Sequence, residues 1–279
     1  MKTLKEAQVG KAFVRLVETN KGYAGVVEVG SQRQKFEDQS KDRLWETLQR
    51  EAAKANPDFV GYSGAKTRFL SIYPDGFKSD AYFDHPKLGE RKYKLDAKKL
   101  LEDRVPLDAA RDGAGFGEAV LAVYRKTNLL EPRFEMPRVQ SALQGSRADE
   151  FVRGAAAFTI GDRRDGLAAM AHALKVHDAA KWTAVTYLPF LWRPETHMFL
   201  KPAVTRKFAA RVGHRFDNEY SSNLDPKVYD SLLDMVAETK AELEAFAPRD
   251  NIDIQSFIWV VGEYAEDEKN AALAIQRNS

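Results

Sequence analysis

The hydrophobic period of this chain changes partway along its length, and that change limits its folds more than any motif does. Near the N-terminus, "AFVRLVE" and "AGVVEV" are short runs rich in valine on either side of a turn at Asn20, Lys21 and Gly22, the signature of two paired strands. From Gly117 onward, segments such as "FGEAVLAVYRKTNLL", "ADEFVRGAAAFTI" and "DPKVYDSLLDMVAETKAELEAF" repeat apolar residues at spacings of three and four, the period of a helix with one buried face. A chain that changes period once is expected to be α+β, with an N-terminal antiparallel sheet carrying one or two packed helices and a mainly α-helical C-terminal domain.

One helix interrupts the front half. "SKDRLWETLQREAAKAN" offers Ser40 as N-cap and a stripe of Leu44, Leu48 and Ala52 beside Trp45, ending at Asn56-Pro57. Beyond it, "DFVGY", "TRFLSIY", "FKSDAYF" and "RKYKLD" are short, aromatic-rich and separated by turn residues, and they read as further strands. Pro106, Gly113, Gly115 and Gly117 break the pattern, so the expected organisation is an α+β domain over 1–105, a linker over 106–117 and a helical domain over 118–279. Pro202 and Pro226 stand at first-turn positions of helices, and Gly213 follows the end of one. The tail after Tyr264 has the composition of a frayed end.

Composition excludes several chemistries. The 279 residues include no cysteine, which removes disulfides, thiolate zinc sites and cysteine nucleophiles and points to the cytoplasm. No uncharged run approaches the roughly 18 residues of a membrane span, so no membrane partner is expected. The formal net charge of +2 does not by itself indicate nucleic acid, although residues 1–104 hold a modest basic excess.

Two chemical readings compete in "IYPDGFKSDAYFDHPKLGERKYKL". Pro74-Asp75 followed by Glu90-Arg91-Lys92 has the order of a metal-dependent nuclease, with Asp75, Asp84 and Glu90 as carboxylates for a divalent ion and Lys92 beside the attacking water. Against it, Pro-Asp-Gly is hairpin punctuation, because proline presets the first corner and Gly76 accepts positive φ. The hairpin reading leaves no catalytic residue, no metal site and no cofactor.

A nucleic-acid surface is the other reading. Phe69 and Tyr73 would project from one strand face as stacking rings, with Lys66, Arg68, Lys78, Arg91, Lys92 and Lys94 placed to meet phosphates. In "VTRKFAARVGHRF", Arg206, Lys207 and Arg211 add a basic helical stripe resembling the first half of a helix-turn-helix. The polar, partly acidic stretch that follows lacks a recognition helix. His172 and His177 stand five apart, about 140° around a helix, which is wrong for joint metal ligation. "GAGFG" has no preceding strand and no phosphate-loop lysine. The aromatics of "KWTAVTYLPFLWRPETHMFL" read as core or as a pocket wall with Arg193 and His197.

"HMFLKPAVTRKFAARVG" and "PRDNIDIQSFIWVV" together resemble an uncharacterised family of bacterial proteins that share a Phe-Leu-Lys-Pro segment and an Asp-x-Gln-Ser-Phe-x-Trp ending. The resemblance implies a bacterial cytoplasmic protein with nucleic-acid or defence associations, and it transfers no site residue. The resulting expectation is a non-enzymatic regulatory or defence-associated nucleic-acid-binding protein whose helical domain holds a partner or a second copy. The alternatives are a divalent-metal nuclease or phosphodiesterase and a protein-binding adaptor.

Overall fold

A computed structural model describes residues 2–9, 11–55 and 58–263 of the chain. The expected ends at Asn56-Pro57 and beyond Tyr264 lie outside the described residues. The sheet is a four-stranded antiparallel meander, β1 (Lys2–Val9), β2 (Ala12–Thr19), β3 (Gly22–Val29) and β4 (Gln32–Asp38), in the order β1-β2-β3-β4.

Alternation along the strands sorts the two faces. Ala12, Val14, Leu16 and Val27 point inward and are buried. Glu6 with Arg15 and Glu28 with Arg33 form ion pairs across neighbouring strands on the other face. Helix α1 (Lys41–Ala53), capped by Ser40 as the sequence predicts, seats Leu44, Trp45, Leu48 and Ala52 on the inner face. Gly25 permits this fit, because a Cβ there would lie 2.3 Å from Leu48 Cδ1.

Thirteen further helices follow among the described residues: α2 (Gly61–Leu70), α3 (Asp80–Phe83), α4 (Lys92–Arg104), α5 (Leu107–Asp112), α6 (Gly117–Tyr124), α7 (Glu135–Leu143) and α8 (Ala148–Ile160). Then come α9 (Arg163–Lys175), α10 (Trp182–Trp192), α11 (Pro202–Val212), α12 (Phe216–Glu219), α13 (Pro226–Glu242) and α14 (Asn251–Glu263). The α+β class and the helical C-terminal part are as expected. Pro202 and Pro226 open α11 and α13, and α11 ends at Gly213 in the left-handed conformation.

The aromatic segments between residues 58 and 95 are helical and not strands. Phe69 closes α2, Tyr82 lies in α3, and "RKYKLD" begins α4. Pro74-Asp75-Gly76 does turn the chain, with Gly76 at φ +59°, but it leads into a short 3-10 turn at Gly76–Lys78 and joins helices. Ala65 and Phe69 stand one helical turn apart, and both are fully buried. In runs this short, tertiary packing decides between the two periods.

The hydrophobic cores consequently divide elsewhere than expected. One joins the sheet to α1; the other runs from Ala65 to Val261. Leu101, Val105, Ala110 and Val120 are all inaccessible to solvent, so the stretch 106–117 belongs to the second core, and its helix α5 packs on α8. At the centre of this core every residue of α10 is buried, which favours the core reading of its aromatics over a pocket wall.

Candidate nucleic-acid interface

Nine of the eleven residues expected to contact nucleic acid separate into three groups, while Lys78 and Lys92 are exposed apart from them. Phe69 and Tyr73 are fully buried and cannot stack on bases. Their rings pack with Phe77, Tyr82 and Phe257 at centroid distances of 5.0 to 6.3 Å, and the Tyr73 hydroxyl donates to the Leu88 carbonyl. The expected stacking face is the interior of the second core.

Arg91 and Lys94 form the second group, and they are also withdrawn from solvent. Arg91 donates to both carboxylate oxygens of Asp250, at 2.8 and 2.7 Å, and to Asp253 Oδ1 at 2.7 Å. Asp253, fully buried, also accepts from the Tyr82 hydroxyl at 2.6 Å and from Arg249 Nε at 3.0 Å. One turn along α4, Lys94 Nζ donates to Glu90 at 3.0 Å and to Ser256 Oγ at 2.9 Å. Three carboxylates thus meet three basic side chains, which balances the cluster and offsets the cost of burying charge. Burial pushes the Lys94 ammonium below its ordinary pKa, against the pull of Glu90. The hydrogen bonds and charge of Arg91 hold Asp250 below the usual carboxylate range despite burial.

The same arrangement scatters the proposed nuclease residues. Glu90 is committed to Lys94, and Lys92 to Asp96 at 3.0 Å on the surface of α4. Asp75 and Asp84 are exposed at the ends of the 3-10 turn and of α3. Among the described residues no group of three or more His, Cys, Asp or Glu side chains could hold a metal ion.

The third group stands on two packed helices: α2, with Lys66 and Arg68, lies against α11, which carries Arg206, Lys207 and Arg211. The Val60 amide donates to the Arg211 carbonyl at 2.9 Å, and the Tyr62 and Phe208 rings meet edge to face at 6.3 Å, locking the helices together. Burial, and then the neighbouring Arg68 charge, lower the Arg211 guanidinium from its usual range. Arg211 is also anchored to the Val261 carbonyl near the end of α14. Arg68 Nε is buried without a hydrogen-bond partner among the described residues, and Lys207 is exposed one turn before Arg211. Lys66 is held by Glu242 at 2.9 Å, and Arg206 turns away to Asp217 and the Tyr220 ring. Lys78 is exposed beside its 3-10 turn.

Asp250 and Asp253 lie 159 and 162 residues beyond Arg91 in the chain, so nothing local in the sequence links them to it. The visible signal was an Arg91-x-x-Lys94 pair on a helix that needed acids.

No family model, curated protein or solved structure matches this chain. Among the described residues, no helix is long and apolar enough to cross a membrane.

Proposed function

We propose that this chain is a non-enzymatic nucleic-acid-binding protein of the bacterial cytoplasm, serving a regulatory or defence-associated role, and that it meets the phosphate backbone at the seam of α2 and α11. One observation carries the reading: the packed helices α2 and α11, remote in sequence, bring the charges of Arg68, Lys207 and Arg211 to one seam, where the Arg68 charge acts on Arg211. Like charges on neighbouring helices disfavour one another unless an anion offsets them, and Asp58 and Glu263 do so only in part for Arg211. A phosphate does so through charge-assisted hydrogen bonds, and Lys207 extends the seam by one helical turn.

A surface of this kind grips backbone and not bases, so it would bind with little sequence preference and strong salt dependence. Fluorescence anisotropy with labelled single- and double-stranded DNA and RNA, at low and high salt, tests it. Binding at micromolar protein that weakens with salt, and that weakens further in an Arg68→Gln/Lys207→Glu variant, is expected. Absence of salt-sensitive binding at that concentration removes the reading.

A further inference from the structure

A polar cavity of about 200 Å³ lies between the sheet layer and the helical body. Its walls are Glu46, Gln49 and Arg50 of α1, His214 and Arg215 after α11, and Asp234 and Glu238 of α13. Part of this lining is internally satisfied: Arg215 donates to Glu46 at 2.9 Å, pairs with Glu219 at 3.3 Å and is held by Asp234.

The remaining groups converge at ion-pair distance without closing hydrogen bonds to one another. Gln49 is only 4% exposed, and its Oε1 has no hydrogen-bond partner among the described residues. His214 Nδ1 accepts from the Phe216 amide at 3.1 Å, which puts the ring proton on Nε2. That nitrogen is 3.9 Å from Glu238 Oε2, too far for a hydrogen bond. Arg50 stands at the same 3.9 Å from the Glu238 carboxylate. Two acceptors, Gln49 and Glu238, and two donors, His214 and Arg50, therefore surround a space that none of them crosses.

A guest that satisfies all four must both donate and accept. An ammonium only donates. A phosphate only accepts, and it would also face the carboxylates of Glu46, Asp234 and Glu238. Adjacent hydroxyl groups do both. A single water takes about 30 Å³ of liquid volume, so the cavity is large enough for a small ring instead. We propose that this cavity binds a small uncharged polyol of the monosaccharide or cyclitol class, which bridges α1 to α13 and tightens the sheet layer against the helical body.

Isothermal titration and thermal unfolding of the full chain with D-ribose, D-glucose and myo-inositol test the proposal. Saturable one-to-one binding of at least one probe is expected, with a matching rise in unfolding temperature. Gln49→Leu should weaken that binding about tenfold or more by removing the buried acceptor. Arg50→Gln, at a half-exposed position, should weaken it without endangering the fold, while Arg68→Gln/Lys207→Glu should leave it unchanged and so separate this site from the basic seam. If no probe binds saturably, or if Gln49→Leu and Arg50→Gln are protected as well as the wild type, the cavity holds hydration water only and the proposal fails.

Discussion

Arg91 grips Asp250 with both terminal guanidinium nitrogens, at 2.8 and 2.7 Å, and this pair ties the start of α4 to the first turn of α14. Asp250 performs a second task, because its Oδ1 accepts from the Ile252 amide at 2.9 Å and caps α14. Asp253 lies one turn further into the helix and joins the same arginine. A charged cluster of this kind specifies how α4 and α14 meet, since any slip would strand a buried charge.

Removing either side of the clamp should therefore be costly. Arg91→Ala leaves two carboxylates without their main counter-charge, and Asp253→Ala leaves Arg91 and the Tyr82 hydroxyl short of an acceptor. Each is expected to lower unfolding free energy by roughly 3–5 kcal/mol, read from urea midpoints. A loss near zero for both variants would show that the cluster is solvated.

Glu90 separates a structural role from a catalytic one. It holds the fully buried Lys94, so Glu90→Ala should destabilise the fold by a few kcal/mol, on the order of 3. Plasmid incubated with Mg²⁺ or Mn²⁺ should stay intact with wild type and variant alike. Cleavage by the wild type that Glu90→Ala abolishes would restore the nuclease reading.

Much of the architecture was legible in the letters. Ser40, Pro202, Gly213 and Pro226 announce helix ends because capping chemistry is local, and β2 and β3 announce themselves as valine-rich runs around a turn. The segment from Gly61 to Leu95 was not legible as helix, because aromatic runs of five to seven residues fit either period and only burial against Phe257 and Phe208 decides. The site was less legible still. Whether a lysine faces solvent or a buried glutamate depends on partners far along the chain, as Lys94 and Ser256 show. Lys207 and Arg211 were visible as a basic stripe, but the approach of Arg68 was not.

Gly25 gives a test of the sheet layer. Its φ is not in the left-handed region, so alanine meets no backbone penalty there; the obstacle is Leu48, 2.3 Å from where Cβ would stand. Gly25→Ala should cost roughly 1–3 kcal/mol by overpacking, and Leu48→Ala in the same chain should recover part of that loss. Additive losses in the double variant, measured by a denaturant cycle, would show that the two positions do not meet.

Acid should weaken the fold through two buried histidines. Burial is the main cause that lowers His197 to about 4 and His214 to about 3. His197 also lies near the charges of Arg163 and Arg193, and His214 near those of Arg215 and Arg50. The unfolded chain protonates histidine near its ordinary value of about 6.5, while the native state refuses the proton until these lower values. Between those limits the unfolded state binds more protons, so stability is full above about pH 6.5 and falls as pH drops toward 4 and then 3. For His197 the loss by pH 4 is on the order of 3 kcal/mol. Glu238 opposes the trend, because burial raises its pKa and acid relieves the cost of its charge. Urea midpoints measured between about pH 7 and pH 4 should fall in the wild type and fall less steeply in His197→Phe, where a ring of similar size packs on Phe158 and Tyr229 without titrating. A wild-type midpoint constant over that range would mean that these histidines are hydrated and free to charge.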